Sequence, residues 1–218
     1  MRDSCPVKTG DRSTRPLTSE IQNGTAYSEQ PFSDVRLGGE RLTESEFYDC
    51  TFTDCSFVEA TLKRCRFVHC TFRDCNLSLV RLADCVIADT TFEACRLVGS
   101  DWTQASWSAM RLGEPLRFVD CDLNHSTFIG LALQGLVLRE CRAVDVDFRE
   151  ADLTGANFTG TDLNESLFLH TDLTRADLST ARNYRISPTQ NTVTKAKFSL
   201  PEALSLLYSM DIELVEEA

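Results

Sequence analysis

Large apolar residues occupy every fifth position from Leu37 to Leu112 and again from Phe118 to Leu178, with Ala143 as the one exception. With the apolar position written as i, the first tract runs through Leu42, Phe47, Phe52, Phe57, Phe92, Trp102 and Trp107 for sixteen repeats. Thirteen more follow in a register moved by one residue. Position i−2 is mostly small: Ser45, Cys50, Cys55, Ala60, Cys65, then Cys121, Ser126, Cys141, Ala151 and Ala156. Neither a 3.6-residue helical period nor a two-residue strand period holds such a pattern over 142 residues, 37–178. A fixed repeat of this length predicts a solenoid, in which each unit contacts only its neighbours and the stack closes one continuous core.

The flanks differ in kind. Residues 1–31, rich in Ser, Thr, Arg and Asp, show no period and are expected to be a flexible segment. The repeat body is expected over 32–181, and 182–218 as a C-terminal cap. In that cap Ser199, Leu200, Pro201 and Glu202 have the form of a capping box, predicting a helix from about Leu200 to Ser209 with Leu200, Leu204, Leu207 and Tyr208 on one face. Ile212, Leu214 and Val215 alternate with acids as an edge strand would.

Nine of the ten cysteines, all but Cys5, fall at i−2, and no Cys-x-x-Cys exists, so buried reduced thiols are expected rather than disulfides or a metal site. His69, His125 and His170 all take the outward position i+2, and phosphate-loop, nucleophile-elbow and zinc-protease motifs are missing. No catalytic residue and no cofactor is assigned. The chain has no apolar run of bilayer length and no hydrophobic signal region, which points to a cytoplasmic protein.

The motifs Ala151-Asp152-Leu153-Thr154-Gly155, Ala156-Asn157-Phe158-Thr159-Gly160 and Ala176-Asp177-Leu178-Ser179-Thr180 resemble the pentapeptide-repeat signature. That resemblance implies an all-β solenoid, a right-handed quadrilateral β-helix with four pentapeptides per coil and i and i−2 pointing inward. Twenty-nine repeats then give about seven coils, a rod on the order of 35 Å long at one strand spacing per coil. Residues twenty apart stack. The one-residue shift is expected as a bulge at Gly113, Glu114 and Pro115, which leaves Phe47, Phe67, Ile87, Trp107, Phe128, Phe148 and Phe168 in one column.

Charge adds a clue to partners. Residues 34–178 carry 24 Asp and Glu against 14 Lys and Arg, close to the whole formal charge of −11. On that register the Phe52 face presents Asp54, Asp74, Glu93, Glu114, Asp152 and Asp172 against three arginines, and the Phe47 face presents Glu46, Asp49, Asp89, Asp147 and Glu150 against two. Acidity of this kind keeps a rod soluble; it also imitates the phosphate charge of a duplex, and would suit a basic DNA-binding groove while repelling nucleic acid. A third column, Val58, Leu79, Val98, Val119 and Val137, forms an apolar strip on the neutral Leu37 face, as a scaffold with another protein partner would.

Residues 196–214, with Phe198, Leu200, Leu204, Leu207, Tyr208, Ile212 and Leu214, are similar to the C-terminal ends of the Qnr and albicidin-resistance subgroup. That similarity implies a homodimer through this segment. It further implies a DNA mimic that binds DNA gyrase and topoisomerase IV and protects them from quinolone or albicidin-type poisons.

Overall fold

The computed structural model, which describes residues 21–107 and 115–215, is an all-β right-handed solenoid of about eight turns with parallel strand pairing throughout. Strands are two or three residues long because a corner falls every fifth residue; in the three-residue strands the middle residue is position i and is buried. The Phe47 face stacks Ala26–Ser28, Glu46–Tyr48, Arg66–Val68 and Val86–Ala88. The Phe52 face stacks six strands, from Pro31–Ser33 to Val137–Arg139, and the Leu42 face three, from Arg41–Thr43 to Arg81–Ala83. Single bridges continue the other ladders, as in Arg36, Ser56, Asn76, Arg96 and Asp122 on the Leu37 face.

The core is a set of ring stacks one strand spacing apart. Phe32, Phe52, Phe72, Phe92 and Phe118 stack with centroids 4.5–5.1 Å apart and planes within 13°. Rings of adjoining faces meet edge to face, as Phe52 and Phe57 do at 5.9 Å and 75°. Both arrangements suit the ring quadrupole.

Position i−2 does more than fill space. The Cys75 thiol lies 3.5 Å from the carbonyl oxygen of Phe52, and it accepts the N–H of Cys55 at 3.4 Å. Cys121 and Cys141 repeat the pattern, and Thr161 Oγ1 does the same, accepting from Cys141 and donating to Leu138. A small side chain with one donor and one acceptor therefore ties its coil at two points to the coil before it, where the ladder leaves an amide over. Burial pushes the Cys70 thiol up to about 12, and the bond to Cys141 with burial does the same for Cys121, so these thiols stay protonated. We expect Cys75→Ser to keep the stability of the parent and Cys75→Ala to lose about 1–2 kcal/mol through the orphaned Cys55 amide. Denaturant midpoints that rank alanine equal to serine would show that the thiol serves as bulk alone.

Five expectations need correction. The coil starts before Phe32, since Ala26–Ser28 pairs with Glu46–Tyr48 and the N–H of Gly24 donates to Thr43. It also runs past Ala181: Arg182 bridges Asp162, Thr192 bridges Asp172, and Lys197–Phe198 pairs with Asp177–Leu178. Tyr184 and Ile186, both buried, fill this last coil, Ile186 from the i−2 column and Tyr184 from a position off the five-residue register. These two additions account for eight turns instead of seven.

The register shift is larger than one residue. Strands twenty apart pair everywhere else, but Thr91 pairs with Arg117 and Asp101 with Thr127, twenty-six apart. The turn thus holds one residue and a whole pentapeptide more than its neighbours. Trp102, not Trp107, stacks on Phe128, with centroids 5.5 Å apart and planes 10° from parallel. The Phe128, Phe148 and Phe168 column accordingly continues that of Leu42, Leu62, Leu82 and Trp102. Trp107 is only partly buried and donates its indole N–H to the Trp102 carbonyl at 2.8 Å. Of the expected bulge, Gly113 and Glu114 lie outside the described residues, while Pro115 packs 3.5 Å from where a Cβ on Gly135 would stand.

At the C-terminus the α-helix is Leu204–Tyr208, shorter than expected, and its N-cap Ala203 makes no side-chain capping bond. Ser199 instead accepts the N–H of Thr180 with its Oγ, closing the coil below rather than starting a helix. Leu206 is the helix residue that packs on the core. Residues 212–215 form no strand.

Candidate target-binding faces and C-terminal end

Position i+2 turns each corner with φ near +55°: Asp34, Asp49, Asp54, Asp74, Asp84, Asp89, Asp120 and Asp145 all sit there. Only glycine enters this left-handed region freely; among other residues Asp and Asn tolerate it best, since their short polar side chains bond locally. Position i−1 has a different demand. Asp147, Asp152 and Asp172 each accept the N–H two residues on, from Arg149, Thr154 and Thr174 at 2.8–3.0 Å. These carboxylates close their own turns. Arg149, bonded to both oxygens of Asp147, holds that carboxyl below its usual range. For Asp152, burial pushes upward but is outweighed by the Thr154 and Gln134 hydrogen bonds, so its pKa is also lowered.

The twenty-six-residue turn redistributes the acids. Asp147 and Glu150 belong to the Leu42 face, below Trp102 and Phe128, and not to the Phe47 face. Asp152 and Asp172 move from the Phe52 face to the Phe47 face, because Phe118, Leu138, Phe158 and Leu178 are the residues that continue the Phe52 column. Val119 and Val137 leave the apolar strip of the Leu37 face for the same reason. Glu114 lies outside the described residues.

After this correction the charge is concentrated. On the Phe47 and Phe52 faces, residues 26–94 carry Glu29, Asp34, Glu46, Asp49, Asp54, Asp74, Asp89 and Glu93 against Arg66 and Arg73, a net of −6. The same two faces over 116–198 carry five acids and five cations, a net of zero. Both arginines of the acidic half are engaged: Arg73 pairs with Glu93 at 2.7 Å and Arg66 with Glu46 at 3.9 Å. Two corner rows therefore stand out. Glu29, Asp49, His69 and Asp89 edge the Phe52 face on one side, and Asp34, Asp54 and Asp74 edge it on the other. His69 Nε2 lies 3.5 Å from Asp89.

Corner geometry alone does not require these charges. In the neutral half the same corners hold Gly135, Gly155, Arg175 and Lys195 on one row, and Asp120, Glu140, Gly160 and Thr180 on the other. The Leu37 face shows the opposite solution, a bridged row Arg96, Asp122, Arg142, Asp162 and Arg182 in which sign alternates from coil to coil. Sequence reasoning finds Asp49, Asp54, Asp74 and Asp89 but omits Glu29 and Asp34, whose coil precedes the regular repeat.

The C-terminal end is apolar and open. Leu200, Tyr208, Met210, Ile212, Leu214 and Val215 are six of the eight exposed large apolar residues among those described. Of the expected dimerisation residues, Leu200, Tyr208, Ile212 and Leu214 face outward, whereas Leu204, Leu207 and Phe198 are half-buried.

The sequence profile described as "Pentapeptide repeat region" matches residues 45–116 and 114–178. The chain belongs to the pentapeptide-repeat family. Among solved structures of this fold, a trypsin-treated variant of QnrB1, a plasmid-mediated fluoroquinolone resistance protein, superposes with a TM-score of 0.60 at 17% identity, over 88% of this chain and 98% of that one. HetL, a pentapeptide-repeat protein involved in heterocyst differentiation regulation from the cyanobacterium Nostoc sp. strain PCC 7120, gives 0.57 at 16% identity, over 80% and 85%. No curated protein matches the sequence. Among the described residues of this repeat protein no group of three or more His, Cys, Asp or Glu is placed to hold a metal ion, and no helix is long and apolar enough to cross a membrane.

Proposed function

We propose that this pentapeptide-repeat protein is a DNA-mimicking binder of DNA gyrase, and of topoisomerase IV, that protects the enzyme from poisons trapping its cleaved complex. One observation carries the reading: the two corner rows of carboxylates before the long turn, in which Arg36 pairs with Asp34 at 3.3 Å and His69 stands beside Asp89, at corners several of which hold glycine elsewhere on the same faces. Rows of fixed like charge along a narrow rod match the charge pattern of a duplex backbone and steer toward a basic, DNA-handling groove. QnrB1, named for fluoroquinolone resistance, supports the reading as a protein of the same fold. HetL, with that fold and a regulatory role, supports a second reading in which the acidic rod is a scaffold for another protein.

A homodimer through the open C-terminal end belongs to the proposal, since a two-fold contact there covers the exposed Leu200, Tyr208 and Ile212. The test is gyrase supercoiling and DNA cleavage with a fluoroquinolone or an albicidin-type poison, titrated with the protein. Restored supercoiling with fewer cleaved complexes is the expected result, and the poison rescued identifies its class. No rescue at an excess over gyrase would leave the scaffold. Leu200→Asp with Tyr208→Asp, both outward, is expected to give a folded monomer in light scattering; a surviving dimer would place the contact elsewhere.

A further inference from the structure

Leu79 breaks two rules at once. It occupies a left-handed corner at φ +58°, where a bulky side chain is strained, and it is 49% exposed. Its side chain lies over Gly99, where an added Cβ would meet Leu79 Cδ2 at 2.6 Å. Val58 and Val98 are half-exposed in the adjoining coils with Ser78 between them, and exposed Glu59 is the next residue of Leu79's own corner row, so the Leu37 face ends in a short apolar ridge, Leu79 with the two valines, above a glycine floor. The next positions round the corner and along the row are Arg81 and Arg96, both exposed.

The far side of the same rod offers the counterpart. On the Phe47 face Tyr48, Val68 and Ala88 form a half-exposed outward column, paired rung by rung, beside the acidic corner of Glu29 and Asp49. A short apolar ridge with Arg81 and Arg96 against the one acid Glu59 thus stands opposite an apolar strip edged by Glu29, Asp49 and Asp89, on a chain whose formal charge is −11.

We propose that the Leu79 ridge docks on the Phe47 face of a second copy of this chain, giving lateral association of rods distinct from the C-terminal contact. The complementarity is in sign as well as in apolar surface, which is what selects one partner over others. The contact is heterologous, a ridge on one copy and a strip on the next, so it extends instead of closing. It also covers the Glu29 and Asp49 row. The regulatory consequence, that associated rods withhold that row from a target, rests on the proposed function; the association itself does not.

Sedimentation velocity of the full chain tests it. Species heavier than a dimer are expected at high protein concentration in about 0.05 M salt, and they should disperse in about 1 M salt, where the Debye length is ~3 Å. Leu79→Asn, which suits the corner better, should raise the thermal midpoint yet remove the heavy species. Arg81→Glu with Arg96→Glu in one copy, and Glu29→Arg with Asp49→Arg in another, should each abolish association alone and restore it when mixed. Heavy species that persist in Leu79→Asn, or charge-swapped copies that stay dispersed on mixing, overturn the proposal. Gyrase protection measured on Leu79→Asn separates the two readings: protection without association leaves the proposed function intact and removes only the lateral contact.

Discussion

Trp102→Ala is expected to cost about 3–5 kcal/mol, the range for removing a fully buried large aromatic side chain, and so to take away much of a typical domain's roughly 5–15 kcal/mol. Trp102 is 1% exposed, stacks on Phe128, and meets Phe92 and Phe118 edge to face at 5.7 and 5.2 Å. It is the ring through which the Leu42 column crosses the twenty-six-residue turn. Because solenoid stability is close to a sum of neighbour terms, a weak joint at this turn should separate the coils before it from those after it. A denaturant titration should then show a lower first midpoint and a second transition in place of one. Trp107→Ala, which removes a partly buried ring, should cost distinctly less. The reverse ranking is what a one-residue shift would produce, with Phe128 stacked beneath Trp107, so the pair of variants also tests the register.

That register marks where the sequence stops being legible. The five-residue period specifies the inward positions because burial of i and i−2 recurs without regard to which coil a repeat belongs to. It does not count coils. Leu112 falls on schedule in the sequence, so the pattern reads unbroken through a turn six residues longer than the others. Only the pairings across it, Thr91 with Arg117, Arg96 with Asp122 and Asp101 with Thr127, show that the turn is long. Any assignment of a later residue to a face carries the miscount forward, which is why the period puts Asp147, Glu150, Asp152 and Asp172 one face away from where they stand. The acids before the turn, Glu46, Asp49, Asp54, Asp74, Asp89 and Glu93, keep their faces.

The flanking coils are hidden for a different reason. Tyr27 and Phe32 fall on the period, but the outward residues around them give no repeat signature, and in the last coil the i position 183 is Asn while the off-period Tyr184 is buried in the core. Likewise the Ser199-x-x-Glu202 spacing fits a capping box, yet the Ser199 hydroxyl faces the Thr180 amide across the coil, at 3.0 Å, and that tertiary partner takes precedence over the local one. The thiols are legible as buried and small, not as hydrogen-bonding groups, because one sequence column holds cysteine, serine, threonine and alanine alike.

The largest functional effect is expected from Asp49→Asn, Asp54→Asn and Asp74→Asn combined: a loss of at least tenfold in gyrase affinity and in protection, corresponding to about 1.4 kcal/mol or more. The fold should not suffer. Asparagine enters the left-handed corner as readily as aspartate, and the change relieves like charges set one coil apart. A control of similar chemistry is available on the same chain. Asp152→Asn with Asp172→Asn keeps the turn-closing acceptor for Thr154 and Thr174 and lies in the electrically neutral half, so affinity should stay near the parent value. Glu93→Gln should also have little effect, since Arg73 already neutralises that carboxylate at 2.7 Å. The comparison separates two physical accounts. A target that reads local rows of charge responds to the first set only, with the loss appearing mainly in the association rate and shrinking as salt is raised. A target that responds to overall acidity loses affinity in proportion to the charge removed, whichever half it comes from. Equal losses for corner and turn-closing carboxylates, scaled by charge, would therefore remove the rows as the recognition element and leave net charge in their place.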